Sequence, residues 1–444
     1  MMLVGNGHLI TRQKETPFIN DGAVLIEGNK IKEIGTTAEL KQRYPDEEFI
    51  DAKGGVIMPG MINMHNHIYS TFARGLAING YHPNDFLDIL KGQWFRLDSQ
   101  MDNHTTYHSG RVAYLESIKN GVTTVFDHQA SYGEIDGSLD QLSKAADEFG
   151  VRTCLCYEVS DRHGKDQALA AINENVRFIN ESKKRTDDMQ HAMMGMHAAF
   201  TISDETFETA RKLTPRDVGF HIHVAEGFSD VKDSLEKYNK PIVNRLFDLD
   251  ILGKQTIVAH CIYINPHEMQ LLQDTDTMVV TNPESNMGNA VGCPPVLRMF
   301  NDYNLLCGIG TDGYTNDLTE SYKVGNVIHK HHLVDPNAGW SEIPAMIFDN
   351  NHVMANRYFD TKLGVLEKDA AADVIVLDYK AATPMTKDNY NMHILFGMNG
   401  KNVTDTIVNG EIKMRDRNVL GVDETEVYAH AQEEAQKLWN RINQ

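Results

Sequence analysis

Short apolar, β-branched runs recur along the chain, each closed by polar or glycine punctuation. They fall at VIMPGMINMH (56–65), GVTTVFDH (121–128), VRTCLCYEVSD (151–161), AMMGMHAAFT (192–201), VGFHIHVAE (218–226), QTIVAHC (255–261), TMVVTNPES (277–285) and LLCGIGTDG (305–313). Near-continuous apolar runs of this length predict strands buried on both faces. Most gaps between them carry a helical pattern. QLSKAADEFG sets Leu142, Ala145, Ala146 and Phe149 on one face and stops at Gly150. NPHEMQLL opens with Asn265 as N-cap, Pro266 at the first helical position and Glu268 placed to reach back. Strand and helix alternating eight times predict an α/β fold with a parallel sheet, closed as a (β/α)8 TIM barrel.

The flanks have a different rhythm. GAVLIEGNKIKEIG alternates about Gly28-Asn29, and AADVIVLD (371–378) and VTDTIVNGEIKMRD (403–416, turning at Asn409-Gly410) match it near the other end. Residues 1–57 and 366–416 are therefore expected to meet as one small β-sandwich satellite, with the barrel spanning 58–365. Residues 417–444 carry a final helix.

Composition narrows the class. The chain has 444 residues, 41% of them hydrophobic, which is ample for a large core. A net charge of −20 argues against nucleic acid or an anionic membrane as the main partner, because both are polyanions. Five cysteines make no disulfide framework, and Cys154 and Cys156 share a strand face where packing is the expected role. No stretch approaches ~18 apolar residues, and MMLVGNGHLITRQ has no leader pattern. A cytoplasmic homodimer is the expectation.

Candidate chemistry then gathers at the strand ends. The 20 histidines include three His-x-His pairs, so spacing alone decides nothing. His65 and His67 close the first strand, His197 the fourth and His260 the sixth. His221 and His223 lie on the fifth strand with Glu226 three residues on, and Asp312 closes the eighth. Residues two apart on a strand face one side, so His65 and His67 can hold one ion. His223 is expected as a ligand and His221, one pleat deeper, as its buried support. His329 and His331 fall on a helix, where residues two apart diverge. Several strands delivering histidine and aspartate to one rim predict a metal site. The long segment 68–120, with Tyr69, Arg74, Trp94 and Phe95, is expected to roof the pocket, and Tyr157, Glu158 and Arg162 to read substrate polar groups. Asp127 and His128 are expected to orient neighbours.

PGMINMHNH, Arg74-Gly75, GVTTVFD, GMHAAFT, HVAE, AHC, NPESNMGNAVGCPPV, GTDG and LGVLEKDAAADVIVLD, in this order, resemble the motifs of the amidohydrolase superfamily. The likeness is to its cytosine deaminase, guanine deaminase and triazine hydrolase branch. The resemblance implies His65, His67, His223 and Asp312 as metal ligands, Glu226 as proton shuttle, His260 on the attacking water or oxyanion, and His197 at the substrate, beside the substrate-contact candidates Trp94, Glu158 and Arg162 named above. Asp312 would also take a proton from the water. No lysine stands on the fourth strand, so one divalent ion is expected: zinc, with iron or manganese as alternatives. Tyr263 stands where relatives often carry a second histidine, and Asp369 where they usually have glycine. The implied activity is metal-dependent hydrolysis of a non-peptide C–N bond, by deamination or cyclic amide opening, in a small, purine-derived heterocycle of purine catabolism. Hydrolytic dechlorination of a triazine and non-catalytic metal binding are the alternatives.

Overall fold

The computed structural model describes residues 1–444 and contains two strand systems. Eight parallel barrel strands run in chain order: Met61–Asn66, Val122–Gln129, Arg152–Tyr157, Met194–Ala198, Phe220–Val224, Ile257–His260, Met278–Thr281 and Cys307–Ile309. A helix follows each one, from Asn103–Lys119 after the first to Leu318–Leu333 after the eighth. The strands form two hydrogen-bonded arcs. The first three, extended by Gln190–Ala192, make one; the last five make the other. The arcs meet at two seams, each an isolated parallel bridge: Val159 with Met196, and Asn66 with Asp312. At the second seam the amides of Thr311 and Asp312 both donate to the His65 carbonyl, at 3.0 and 2.9 Å.

The local signals fold as their chemistry dictates. Asn265 accepts from the amides of His267 and Glu268, while Glu268 accepts from the Asn265 amide, so the helix Pro266–Asp274 opens on a complete capping box. Gly150 ends Ser138–Phe149 at φ +66°, a conformation that costs glycine nothing. Ile62, Phe126, Cys154, Cys156, Ile257 and Met278 pack as one buried cluster with Phe359 and Leu363. Both cysteines are thus packing residues.

One expected strand is two. Val56–Pro59 pairs with His8–Leu9 and with Val374–Leu377, outside the barrel, and Met61–Asn66 begins afresh inside it. Gly60 is the joint. A Cβ there would lie 2.3 Å from Thr123, so only glycine lets the chain cross between the two sheets. The strand Val56–Pro59 belongs to a nine-stranded sheet drawn from both chain ends, in which Met2–Ile10 pairs with Phe18–Glu27, and Val374–Leu377 with Val403–Val408. In place of two separate sheets there is one continuous sheet, around a core that includes Val4, Val24, Ile26, Val374 and Ile407. Asp369 adopts φ +68°, the left-handed geometry for which glycine is the unstrained choice.

The segment between the first strand and its helix forms short helical turns, Ile68–Ala73, Phe86–Ile89, Leu90–Trp94 and Phe95–Asp98. The C-terminal helix Glu424–Ile442 braces it from outside. Trp439 Nε1 donates to the Phe72 carbonyl at 2.7 Å, Arg96 donates to the Ile442 carbonyl at 2.6 Å, and Asn443 bonds Ala77 and Asn79. No helix is long and apolar enough to cross a membrane.

Candidate metal centre and active site

His65, His67, His223, His260 and Asp312 converge where the strands end, all but Asp312 fully buried. His67 Nε2 lies 3.0 Å from His223 Nε2 and 3.5 Å from Asp312 Oδ1; His65 Nε2 and His260 Nε2 lie 4.0 and 3.4 Å from Asp312 Oδ2. The backbone is turned sharply to achieve this. Ala225, His260 and Asp312 take φ of +49°, +73° and +56°, a left-handed conformation costing each L-residue roughly 1 kcal/mol or more.

The hydrogen bonds test whether a cation fits. His67 Nδ1–H donates to the His128 carbonyl at 2.6 Å, and His223 Nδ1–H to the His197 carbonyl at 2.7 Å. Those bonds fix the tautomers, so two Nε2 lone pairs face each other with no proton between them. Burial, the largest influence, lowers the pKa of His65, His67 and His223, keeping the imidazoles neutral, as ligands must be. His65 Nε2 is buried without a hydrogen-bond partner. A cation answers all of this, and three imidazoles with one carboxylate suit zinc. His221 is buried and its Nε2 lies 2.8 Å from Nδ1 of His65, so the ring it supports is that of His65 and not of its neighbour His223.

Glu226 Oε2 is 3.6 Å from His260 Nε2, and Asn289 Nδ2 donates to its Oε1 at 3.5 Å. Burial pushes its carboxyl up to about 7, against the pull of His260. His260 Nδ1 is anchored on Asn286 Oδ1 at 2.8 Å, which leaves its Nε2 aimed between Glu226 and Asp312. Glu226 sits with its proton evenly poised near neutral pH.

The pocket above is lined by His67, Glu226, Asp312, His197, Glu158 and Trp94, with Tyr69, Phe86, Leu90 and Phe95 from the roof. His197 Nδ1 bonds Thr201 Oγ1 at 2.7 Å, and burial lowers the pKa of its ring against the pull of Glu158. Glu158 is buried among His128, His197 and Arg162. Burial alone would raise its carboxyl, but His197, His128 and Arg162 together outweigh that and hold it below the usual carboxylate range. Arg162, expected at the substrate, stands behind the wall. It ties Asp98 Oδ2 at 2.9 Å, lies 3.5 Å from Glu158, and stacks 3.8 Å over Phe95 and 4.9 Å over Tyr132. The wall residue it supports, Asp98, carried no motif in the sequence; burial pushes its carboxyl up to about 6.

The supporting residues fall into place around this. Asp127 accepts from the Ile68 amide at 2.7 Å, pinning the start of the roof, while His128 presents its carbonyl to His67. Arg74 is bidentate to Glu116 at 2.7 and 2.9 Å in an outer cleft. Tyr263 faces outward and donates to the Val291 carbonyl. His329 packs against Cys293, on a helix remote from the site.

A (β/α)8 barrel whose strand ends converge on three histidines and an aspartate, with a poised carboxyl beside them, defines a metal-dependent hydrolase. The Amidohydrolase family profile matches residues 56–413, and the chain belongs to that family. It is an enzyme acting on carbon–nitrogen bonds other than peptide bonds. The chain is 30% identical over 448 residues to a 5'-deoxyadenosine deaminase of Methanosarcina barkeri, covering 100% of this chain and 99% of that one. It is also 30% identical over 450 residues to a 5-methylthioadenosine/S-adenosylhomocysteine deaminase of Halothermothrix orenii, covering 98% and 99%. Similar folds include a zinc-bound adenosine deaminase from Xanthomonas campestris (TM-score 0.86, 20% identity, 98% of both chains). An atrazine chlorohydrolase from Arthrobacter aurescens TC1 is another (TM-score 0.82, 21% identity, 98% of this chain and 100% of that one).

Proposed function

We propose that this enzyme deaminates an adenine-type, purine-derived substrate: water adds at the carbon bearing the amino group, and ammonia leaves. The full-length likeness to two deaminases of adenine nucleosides supports the substrate class. The observation that carries the chemistry is the convergence of Glu226, His260 and Asp312 on one point, at 3.4 and 3.6 Å through His260 Nε2.

In this reading His65, His67, His223 and Asp312 hold one zinc ion. When bound, such an ion makes water acidic enough to be deprotonated near neutral pH. Asp312 orients that water and accepts its proton. Glu226 moves a proton to the departing nitrogen, since expelling an unprotonated amide anion would be prohibitive. Burial favours the protonated form of Glu226, the form that can give a proton. His260, its Nδ1–H held by Asn286 Oδ1, aims Nε2 between Glu226 and Asp312, where it would orient the attacking water. His197 and Trp94 contact the ring. The reading extends to a cytoplasmic homodimer in purine catabolism; five free cysteines are in keeping with a reducing compartment.

The test is ammonia release by zinc-loaded protein over a panel of adenine nucleosides, free purines, pyrimidines, hydantoins and a chlorotriazine. Stoichiometric ammonia from an adenine derivative is expected. Ring opening of a hydantoin without ammonia, or chloride from the triazine as the only product, would overturn it.

A further inference from the structure

The pocket wall carries four carboxylates, Asp98, Glu158, Glu226 and Asp312, and no lysine or arginine. The last two belong to the chemistry proposed above. The first two do not, and they differ from each other. Asp98 takes the short bond of Arg162, at 2.9 Å. Glu158 has only longer approaches: Arg162 Nη2 and His197 Nε2 at 3.5 Å and His128 Nδ1 at 3.4 Å. Charge-assisted bonds between such groups normally close to about 2.7–2.9 Å, so Glu158 keeps acceptor capacity towards the pocket.

No lysine or arginine reaches into the pocket itself, and the one cation expected there, the zinc ion, would be held at the Asp312 end. Arg162 is behind the wall, and Arg74 in the outer cleft is already bidentate to Glu116. We propose that Glu158 selects the substrate by charge. The pocket takes a molecule that presents a hydroxyl, amine or ring N–H to this carboxylate and excludes one that carries a carboxylate or phosphate. The inference rests on the deamination reading only for the choice of probes. Two like charges about 6 Å apart, at an effective dielectric of ~20, weaken binding roughly 100-fold.

The experiment measures binding by calorimetry and ammonia release in parallel, on zinc-loaded protein. The probes are adenosine, 5′-amino-5′-deoxyadenosine, adenosine 5′-carboxylate and adenosine 5′-monophosphate. The two anions are expected to bind roughly 100-fold more weakly than adenosine. Preference for the amine over adenosine would assign Glu158 an ammonium; parity would assign it a hydroxyl or ring N–H. Glu158→Gln should bring the anions within about tenfold of adenosine at unchanged zinc content, and Glu158→Asp, which keeps the charge, should retain the exclusion. Anions binding as well as adenosine to the unmodified enzyme would overturn the proposal, as would an unchanged ratio in Glu158→Gln. If that variant does not fold, the unmodified enzyme and Glu158→Asp decide. Discrimination in binding without ammonia from any probe would leave charge selection standing and sink the deamination reading. No binding by any probe would overturn both.

Discussion

Replacing Glu226 by glutamine should separate activity from stability. Glutamine keeps the volume and the contact with Asn289 but cannot move a proton. Loss of a positioned acid–base group costs about 10²–10⁴ in turnover, or roughly 3–5 kcal/mol of transition-state stabilisation. Glu226 is not among the side chains clustered as ligands, so zinc content should not change. The metal-free protein should move the other way. Burial raises this carboxyl from 4.5 to about 7, so its charged form carries a penalty of roughly 3 kcal/mol in the fold. Between those values the native state binds more protons than the unfolded chain, and stability falls as pH rises. The penalty is absent below 4.5 and complete above 7; glutamine never has it. Metal-free Glu226→Gln should therefore match the unmodified protein near pH 4.5 and exceed it by up to about 3 kcal/mol at pH 8. The assay is urea denaturation of chelated protein across that range, with turnover and elemental analysis of the zinc-loaded form. Turnover within tenfold of normal would remove Glu226 from the mechanism. A stability difference that does not grow with pH would refute the burial argument.

Elemental analysis of active protein should give one equivalent of metal, and His223→Ala should lose both metal and activity; two equivalents would contradict a centre without a bridging lysine. Arg162→Met should raise KM at least tenfold at constant metal, because Asp98 is left buried without its partner at a cost of about 3 kcal/mol or more. Trp94→Ala should change the ratio of turnover on two substrates and spare the metal, as expected of a reader carried on the roof; the reverse pattern would sink the division between ligands on strands and readers on loops. Trp439→Ala should lower stability by about 2 kcal/mol and raise KM with little change in kcat, since it frees Phe72 in the roof.

The sequence made the barrel and its ligands legible for one physical reason: buried strands are continuous apolar runs, and a polar residue ending one has few bland explanations. The capping box at Asn265 and the stop at Gly150 were readable in the same way, as single-residue chemistry. The break at Gly60 was not, because a glycine inside an apolar run looks the same whether the strand continues or changes sheet. Asp98 was hidden for another reason. It reaches the wall from a roof of short turns without periodicity, over 30 residues from the first strand. Arg162 sits at a strand end, where a charged residue reads as a rim group, but its stacking on Phe95 and Tyr132 depends on partners far away in the chain.

The two seams of the barrel give the metal a mechanical office besides its chemical one. His65 and His67 belong to one arc, His223 and Asp312 to the other, and the seam between Asn66 and Asp312 is a single bridge. An ion held by all four is a clasp across that join. Its affinity and the closing of the ring are then one equilibrium: free metal a thousandfold above Kd adds about 4 kcal/mol to the fold, and anything that springs the seam weakens the ion. Chelation should speed hydrogen exchange at the Asp312 amide while the amides inside the second arc stay protected. Loss of metal would thus loosen the fold at this seam as well as stop the chemistry.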